Sequence, residues 1–473
     1  MNSTRALIIK PLKNKYHFSL LLIFSASLIL HIASCNLRPI TITERFVPAD
    51  TGIADQKDTV IPATVYYDDN VLLMEDKTYF SSIKSVKLFK TGFDFALPAI
   101  PLNGAEQLTL VFDDLHANLT DYKYRLIHCD ANWNPTGQMT IDYIEGFPED
   151  FILDYKYSLG TLQKYIHYSL TFPTENLKPK VSGNYIIAVY KDSYPAGVIL
   201  TRRFMIFEPL LHIEGLVKRP TIVEYRTWRQ EIDFTINKAS LPEANPYRDF
   251  FVVIRQNGRW DNAIYDIKPK MVLNNILDYN YERENLFDGI NEFRHFDLRS
   301  LSKYTPRVDL IRQDTGKVIV NIKPDIRRAY DVYISHEDIN GNYLIMNEDA
   351  LQDPAVEADY AWVHFTLPFD NALSDGAIYI MGGFTNWRFS PEYRMKYNKE
   401  RQAYETQLYL KQGYYNYLYV VLENNKESAN TDLTEGNHFE TENNYYIYVY
   451  YHDKSSYYDR LLAVKALNSS IKD

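Results

Sequence analysis

The sequence predicts an all-β chain built of three β-sandwich domains in series behind an export signal. Tyrosine (40) and phenylalanine (24) outnumber glycine (18), and large planar side chains suit a pleated, half-buried surface. Short β-prone runs recur along the chain, each bounded by Pro, Gly, Asn or Asp. A helical period is not sustained past the N-terminus, and only DFILDYKYSLGTLQKY suggests a short helix.

The elements follow in chain order. Arg5, Lys10, Lys13 and Lys15 precede an apolar run from Phe18 to Leu30, and the small residues Ala33 and Ser34 follow. This is the pattern of a secretory signal peptide, assigned to residues 1–34. The run is shorter than the roughly 20 residues a hydrocarbon core needs, so a permanent membrane helix is not expected. Ile32-Ala33-Ser34-Cys35 resembles the bacterial lipobox, in which cleavage leaves the cysteine as the first residue, carrying lipid. Cys35 is therefore the expected lipid attachment site, which leaves Cys129 without an intramolecular partner and the fold without a disulfide framework. Residues 35–57, with Pro39, Pro48 and Gly52, read as a tether between membrane and globular body.

A first β-domain spans 58–209, with strands expected in IKSVKLFK, QLTLVFDD, YKYRLIHCD, YIHYSLTF, NYIIAVYK and VILTRRFMIF. A second spans 210–350 through LLHIEGLV, EIDFTIN, FFVVIRQ, KVIVNIK, YDVYISH and GNYLIMN, with Gly341-Asn342 marking a hairpin turn. The acidic LQDPAVEAD links it to a third domain, 351–473, whose strands are WVHFTL, AIYIMGG, YETQLYL, YYNYLYVV and NYYIYVYY. The chain's net charge of -10, with no long Lys or Arg run, argues against nucleic acid as a partner.

The stretch YRLIHCDANW places His128, Cys129 and Asp130 side by side. Read as a strand, its period of two puts Tyr124, Leu126, His128 and Asp130 on one face and Arg125, Ile127, Cys129 and Ala131 on the other. His128 and Cys129 then cannot share a site, and Cys129 reads as a core thiol with a raised pKa, the opposite of a nucleophile. His128 and Asp130 share a face without a third catalytic partner, so they are expected to orient the ANWNPTG turn, with Trp133 as its anchor. HExxH, CxxC, GxSxG and phosphate-cradling glycine loops are all lacking, and Asp68-Asp69 and Asp113-Asp114 lack the spacing of a calcium loop. Neither catalytic residues, metal ligands nor a cofactor are predicted.

LIHCDANWNP, GFPEDFILDY, YIHYSLTFP and SGNYIIAVYKD, in that order, resemble the N-terminal domain of the type IX secretion system plug protein. NEFRHFDLRSL and TEGNHFETENNYYIYVYYHDKSSYYDRLLAV are similar to the same family. The resemblance implies a non-enzymatic periplasmic protein, associated with the outer membrane, that docks on the outer-membrane β-barrel translocon and blocks its pore. IYIMGGFTNW followed by YETQLYLKQGYYNYLYVV resembles the glycogen-binding modules, an immunoglobulin-like fold, with Trp387 and Phe384 at the sugar-facing turn. The second stacking tryptophan of those modules has no counterpart in LENNKESANTD. A carbohydrate-binding envelope lipoprotein is accordingly the alternative reading.

In NYYIYVYY, Ile447 and Val449 are expected to point inward while Tyr446, Tyr448 and Tyr450 line the opposite face, and Tyr415, Tyr417 and Tyr419 repeat the pattern. Such a face suits either a covering domain or an external partner.

Overall fold

Leu108, Leu110 and Phe112 alternate into one core from the strand Leu108–Asp114, while Thr109 and Val111 lie on its other face. The computed structural model describes residues 72–452 and 458–470. The expected signal peptide 1–34, Cys35, the tether 35–57 and Asp68-Asp69 lie outside the described residues.

The first body packs two sheets face to face. One runs Ile83–Lys90, Leu108–Asp114, Ile166–Phe172, Asp154–Tyr157. The other runs Lys77–Thr78, Val198–Phe207, Gly183–Tyr190, Lys123–Cys129, Asp150–Phe151, with Ala99–Pro101 added in parallel to Val198–Phe207. Every strand predicted in this region forms. The short helix expected in DFILDYKYSLGTLQKY does not, because the open edges of both sheets offer that backbone partners: Asp150–Phe151 pairs with Lys123 and Tyr124, and Asp154–Tyr157 with Ile166–Ser169. Gly183–Tyr190 is buried at every position, since its sheet is covered on both faces. That double cover explains why its sequence reads as a nearly continuous apolar run.

The middle body has a sheet of His212–Lys218, Arg229–Asn237, Ile276–Asp278 and Met271–Leu273, with Leu286–Asp288 also paired to Arg229–Asn237. Its facing sheet is Phe250–Gln256, Asn444–His452 and Asp459–Asn468. The third body sets Arg294–Asp297, Gly413–Leu422, Tyr343–Ile345 and Ala377–Met381 against Val308–Asp314, Lys317–Ile322, Tyr360–Pro368, Ala403–Lys411 and Lys396–Asn398. The chain is thus all-β with several antiparallel sheets, as expected.

The division expected at residue 350 is not the one the hydrogen bonds follow. Phe250–Gln256 pairs with Asn444–His452, and Lys317–Ile322 pairs with Tyr360–Pro368, so strands from either side of 350 share sheets. Nearly every residue of FFVVIRQ is buried, and the strand that satisfies its edge is NYYIYVYYH, whose Tyr445, Ile447 and Val449 complete the middle core. YDVYISH also departs from expectation. Tyr330, Val332 and Ile334 are exposed and the segment joins no sheet, because β-propensity makes a strand only where an edge is available. The turn before Tyr343–Ile345 does form: Asn342 N donates to Ile339 O at 3.0 Å, with Asn340 and Gly341 both at positive φ. Its first strand is missing, so the hairpin is not completed.

Buried polar contacts lock first and third bodies together at Asp113. Its Oδ2 accepts from Lys411 Nζ at 2.6 Å and from Tyr360 Oη at 2.7 Å, and its Oδ1 from His167 Nδ1 at 2.6 Å. Asp113, fully buried, is thus a junction residue between these two bodies.

Candidate functional site

Strand parity holds in YRLIHCDAN. Tyr124 and Leu126 enter the first core, while Cys129 and Ala131 join a second apolar cluster between the first and middle bodies. Burial pushes the Cys129 thiol up to about 12, which leaves no thiolate at neutral pH. His128 and Asp130 do not touch each other. His128 Nδ1 lies 3.1 Å from Thr136 Oγ1 and Nε2 lies 3.1 Å from Ser182 O, and burial brings its pKa down to about 4. Asp130 instead accepts from Asn132 N at 2.9 Å and Asn134 N at 2.8 Å, which holds the ANWN turn. Trp133 is buried beneath that turn with the Arg203 guanidinium 4.4 Å from its ring.

The tyrosine face is consumed inside the molecule. Tyr448 and Tyr450 pack in the cluster that holds Cys129, Ile186 and Met205, and Tyr446 lies partly buried against it. Tyr450 Oη donates to Asn184 Oδ1 of the first body at 2.8 Å. An external partner therefore does not reach Tyr448 or Tyr450, which corrects the partner-binding reading of these rings. Tyr415, Tyr417 and Tyr419 are likewise buried, in the third core.

Phe384 packs edge-on against Tyr343 and Tyr415. Trp387 meets Phe293 edge-on at 5.8 Å and is flanked by Gly258 and Gly341. A Cβ on either glycine would fall 1.9 Å from Nε1 or 2.2 Å from Cη2 of this indole, so both positions need glycine for the ring to fit. These contacts make Trp387 a packing residue between the middle and third bodies.

What remains open is the edge of the first body. At Gly146, φ is +98° and a Cβ would sit 2.1 Å from Asn176 O, so only glycine makes the turn that delivers Phe147 outward. The chain then borders one sheet as Asp150–Phe151, buries Ile152 in the core, and borders the other sheet as Asp154–Tyr157. Side chains on this path face solvent: Phe147 is 61% exposed, Leu153 80% and Tyr157 58%. Phe151, Leu159 and Leu162 extend the ribbon, and Glu149, Asp150, Asp154 and Lys156 interrupt it with charge. A ribbon of exposed apolar side chains beside short edge strands is equipped to bind another protein surface. Sequence reasoning missed it, although GFPEDFILDYKY carries its signal: Phe, Phe, Leu and Tyr at alternate positions opposite only one buried residue, Ile152.

Comparison with known proteins bears on this same region. The family model for the type 9 secretion system plug protein 1st domain matches residues 83–208, which contain the whole ribbon. Among solved structures, the crystal structure of a hypothetical protein from Parabacteroides merdae ATCC 43184 is 34% identical, with 84% of this chain and 100% of that chain covered at a TM-score of 0.81. A trypsin-activated alpha-2-macroglobulin from Escherichia coli aligns at 8% identity over 81% of this chain and 28% of its own, with a TM-score of 0.17, too low to bear on the fold. A search of curated proteins found no match. The first body of this chain is therefore a type 9 secretion system plug protein 1st domain.

Proposed function

We propose that this protein is a non-enzymatic periplasmic plug that binds the outer-membrane translocon barrel of the type IX secretion system and seals it when no substrate passes. The observation that carries the reading is the family domain over 83–208, and the exposed ribbon from Phe147 to Leu162 within that domain supports it as the docking face. The bodies joined through Asp113 and Tyr450 suit a plug, which must resist deformation while bound. In the same reading residues 1–34 are an export signal, Cys35 carries a lipid, and 35–57 tether the bodies to the outer membrane, which raises their effective concentration at the barrel. The alternative of a glucan-binding lipoprotein rests on Trp387, and the packing of that ring against Phe293 and two glycines does not favour it.

The test is a deletion strain. Loss of a plug makes the outer membrane permeable to large antibiotics, in a manner that requires the barrel, while export of native substrates continues at least in part. Leu153→Asp in the full chain should leave the fold intact and reduce co-isolation with the barrel. Unchanged permeability in the deletion strain refutes the plug function; full co-isolation of Leu153→Asp refutes the docking face alone.

A further inference from the structure

A cavity of about 160 Å³ opens where the three bodies meet, lined by first-body residues around Lys87 and Arg203, middle-body residues around Arg255 and Trp260, and third-body residues around Asn340 and Trp387. At the volume one buried water requires, it holds about ten waters, the size of a small organic molecule. Its wall is cationic in a chain whose net charge is -10. Lys87, Arg202, Arg203 and Arg255 all line it, against the carboxylates of Asp76 and Asp94.

These cations are poorly neutralised. Arg255 is 7% exposed, and its Nε has no hydrogen-bond partner among the described residues. Its guanidinium is held by rings instead, 4.5 Å from Trp260 and 5.2 Å from Tyr446. Arg203 covers Trp260 as well, at 5.2 Å, and its Nε donates to the backbone oxygen of Met74. Arg202 is buried with Lys77 O and Thr201 O as its nearest acceptors. Lys87 donates to Tyr343 O at 3.0 Å and lies 3.9 Å from Asp94, and burial lowers its pKa to about 8. Cation–π contacts offset only part of the desolvation cost of buried guanidinium groups.

We infer that this cavity is a binding site for a small oxyanion, a phosphate- or carboxylate-bearing molecule received chiefly by Arg255, with Arg203 and Lys87 at its flanks. A planar guanidinium with unused N–H donors matches an oxyanion in two-point geometry, and three bodies contribute to the wall, so a bound anion would tie them together. The signal was present in the sequence as Arg202-Arg203 inside VILTRRFMIF, an otherwise apolar strand, but which cavity they line depends on the middle and third bodies.

The test is titration of the full chain with inorganic phosphate and, separately, with citrate, by calorimetry and by thermal unfolding, against sodium chloride at matched ionic strength. Saturable binding of phosphate, of citrate, or of both, with a raised unfolding midpoint that chloride does not reproduce, is expected, and the tighter probe identifies the anionic group. Arg255→Met should weaken binding at least tenfold, and Lys87→Gln, which leaves the Trp260 stack untouched, should weaken it by a smaller factor. Absence of binding by both probes overturns the inference, as does binding that both variants retain or that chloride matches.

Discussion

Removing Asp113 should be the most damaging single change at the junction of first and third bodies. In Asp113→Ala the Lys411 ammonium, 1% exposed, is left with the Ala355 carbonyl at 2.7 Å as its remaining hydrogen-bond acceptor. Tyr360 Oη keeps Ser85 Oγ at 2.7 Å, so its own loss is small. The cost is therefore that of an uncompensated buried charge, about 3–5 kcal/mol. Lys411→Met leaves a carboxylate that still accepts from Tyr360 and His167, and the loss should stay near that of one charged hydrogen bond, about 1.5–3 kcal/mol. The double variant Asp113→Ala/Lys411→Met replaces the pair by apolar groups and should cost less than the two single changes together. Urea unfolding of all four proteins measures the cycle. The sign with pH is also fixed. Burial alone would push Asp113 up, but the Lys411 charge and the His167 bond outweigh it and hold the carboxyl below its ordinary value. Its contribution is thus fully present above about pH 4, the unfolded value, and is lost as the pH falls toward the folded one. A cost below about 1 kcal/mol for Asp113→Ala, or strict additivity in the double variant, would refute this account.

Three further outcomes follow from the same structure. Cys129, buried and with its pKa near 12, should resist alkylation at neutral pH until the protein is unfolded, and Cys129→Ser should cost about 1 kcal/mol or more in the same urea assay. His128, held neutral by burial with a folded pKa near 4, binds its proton in the unfolded chain first, so stability should drop by up to about 3 kcal/mol as pH falls from about 6.5 toward 4, and His128→Gln should flatten that window. Tyr450→Phe removes the donor to Asn184 Oδ1 between first and middle bodies and should cost about 1–2 kcal/mol, read as a lower urea midpoint at unchanged slope.

Local structure was legible where alternation alone decides it. The two faces of Tyr124–Ala131, and the inward Ile447 and Val449, follow from a period of two and needed no knowledge of the neighbours. Pairing was not legible. The stripe Tyr445, Ile447, Val449 says that one face is buried but not in which sheet, and its partner Phe250–Gln256 lies in a region the sequence assigns to a different domain. YDVYISH failed for the converse reason, having the composition of a strand without an edge to join. The exposed ribbon at Phe147–Leu162 and the cation cavity were hidden because each depends on what stays uncovered, or converges, once whole bodies are assembled.

The insertion of the third body between two parts of the middle one also sets an order of events. Asn257 and Asn443, which bond side chain to side chain across the middle body, are 186 residues apart. Closing that sandwich requires a long loop to be ordered before its contacts give any return, which makes it the slow step of folding. As the chain emerges N-terminus first, the first body has all its strands long before Asn444–His452 arrives, while Phe250–Gln256 waits with an open apolar edge. Until the final hairpin docks, the apolar face that Tyr448 and Tyr450 later cover stays bare, and this is the interval in which the newly made chain is most exposed to aggregation and proteolysis.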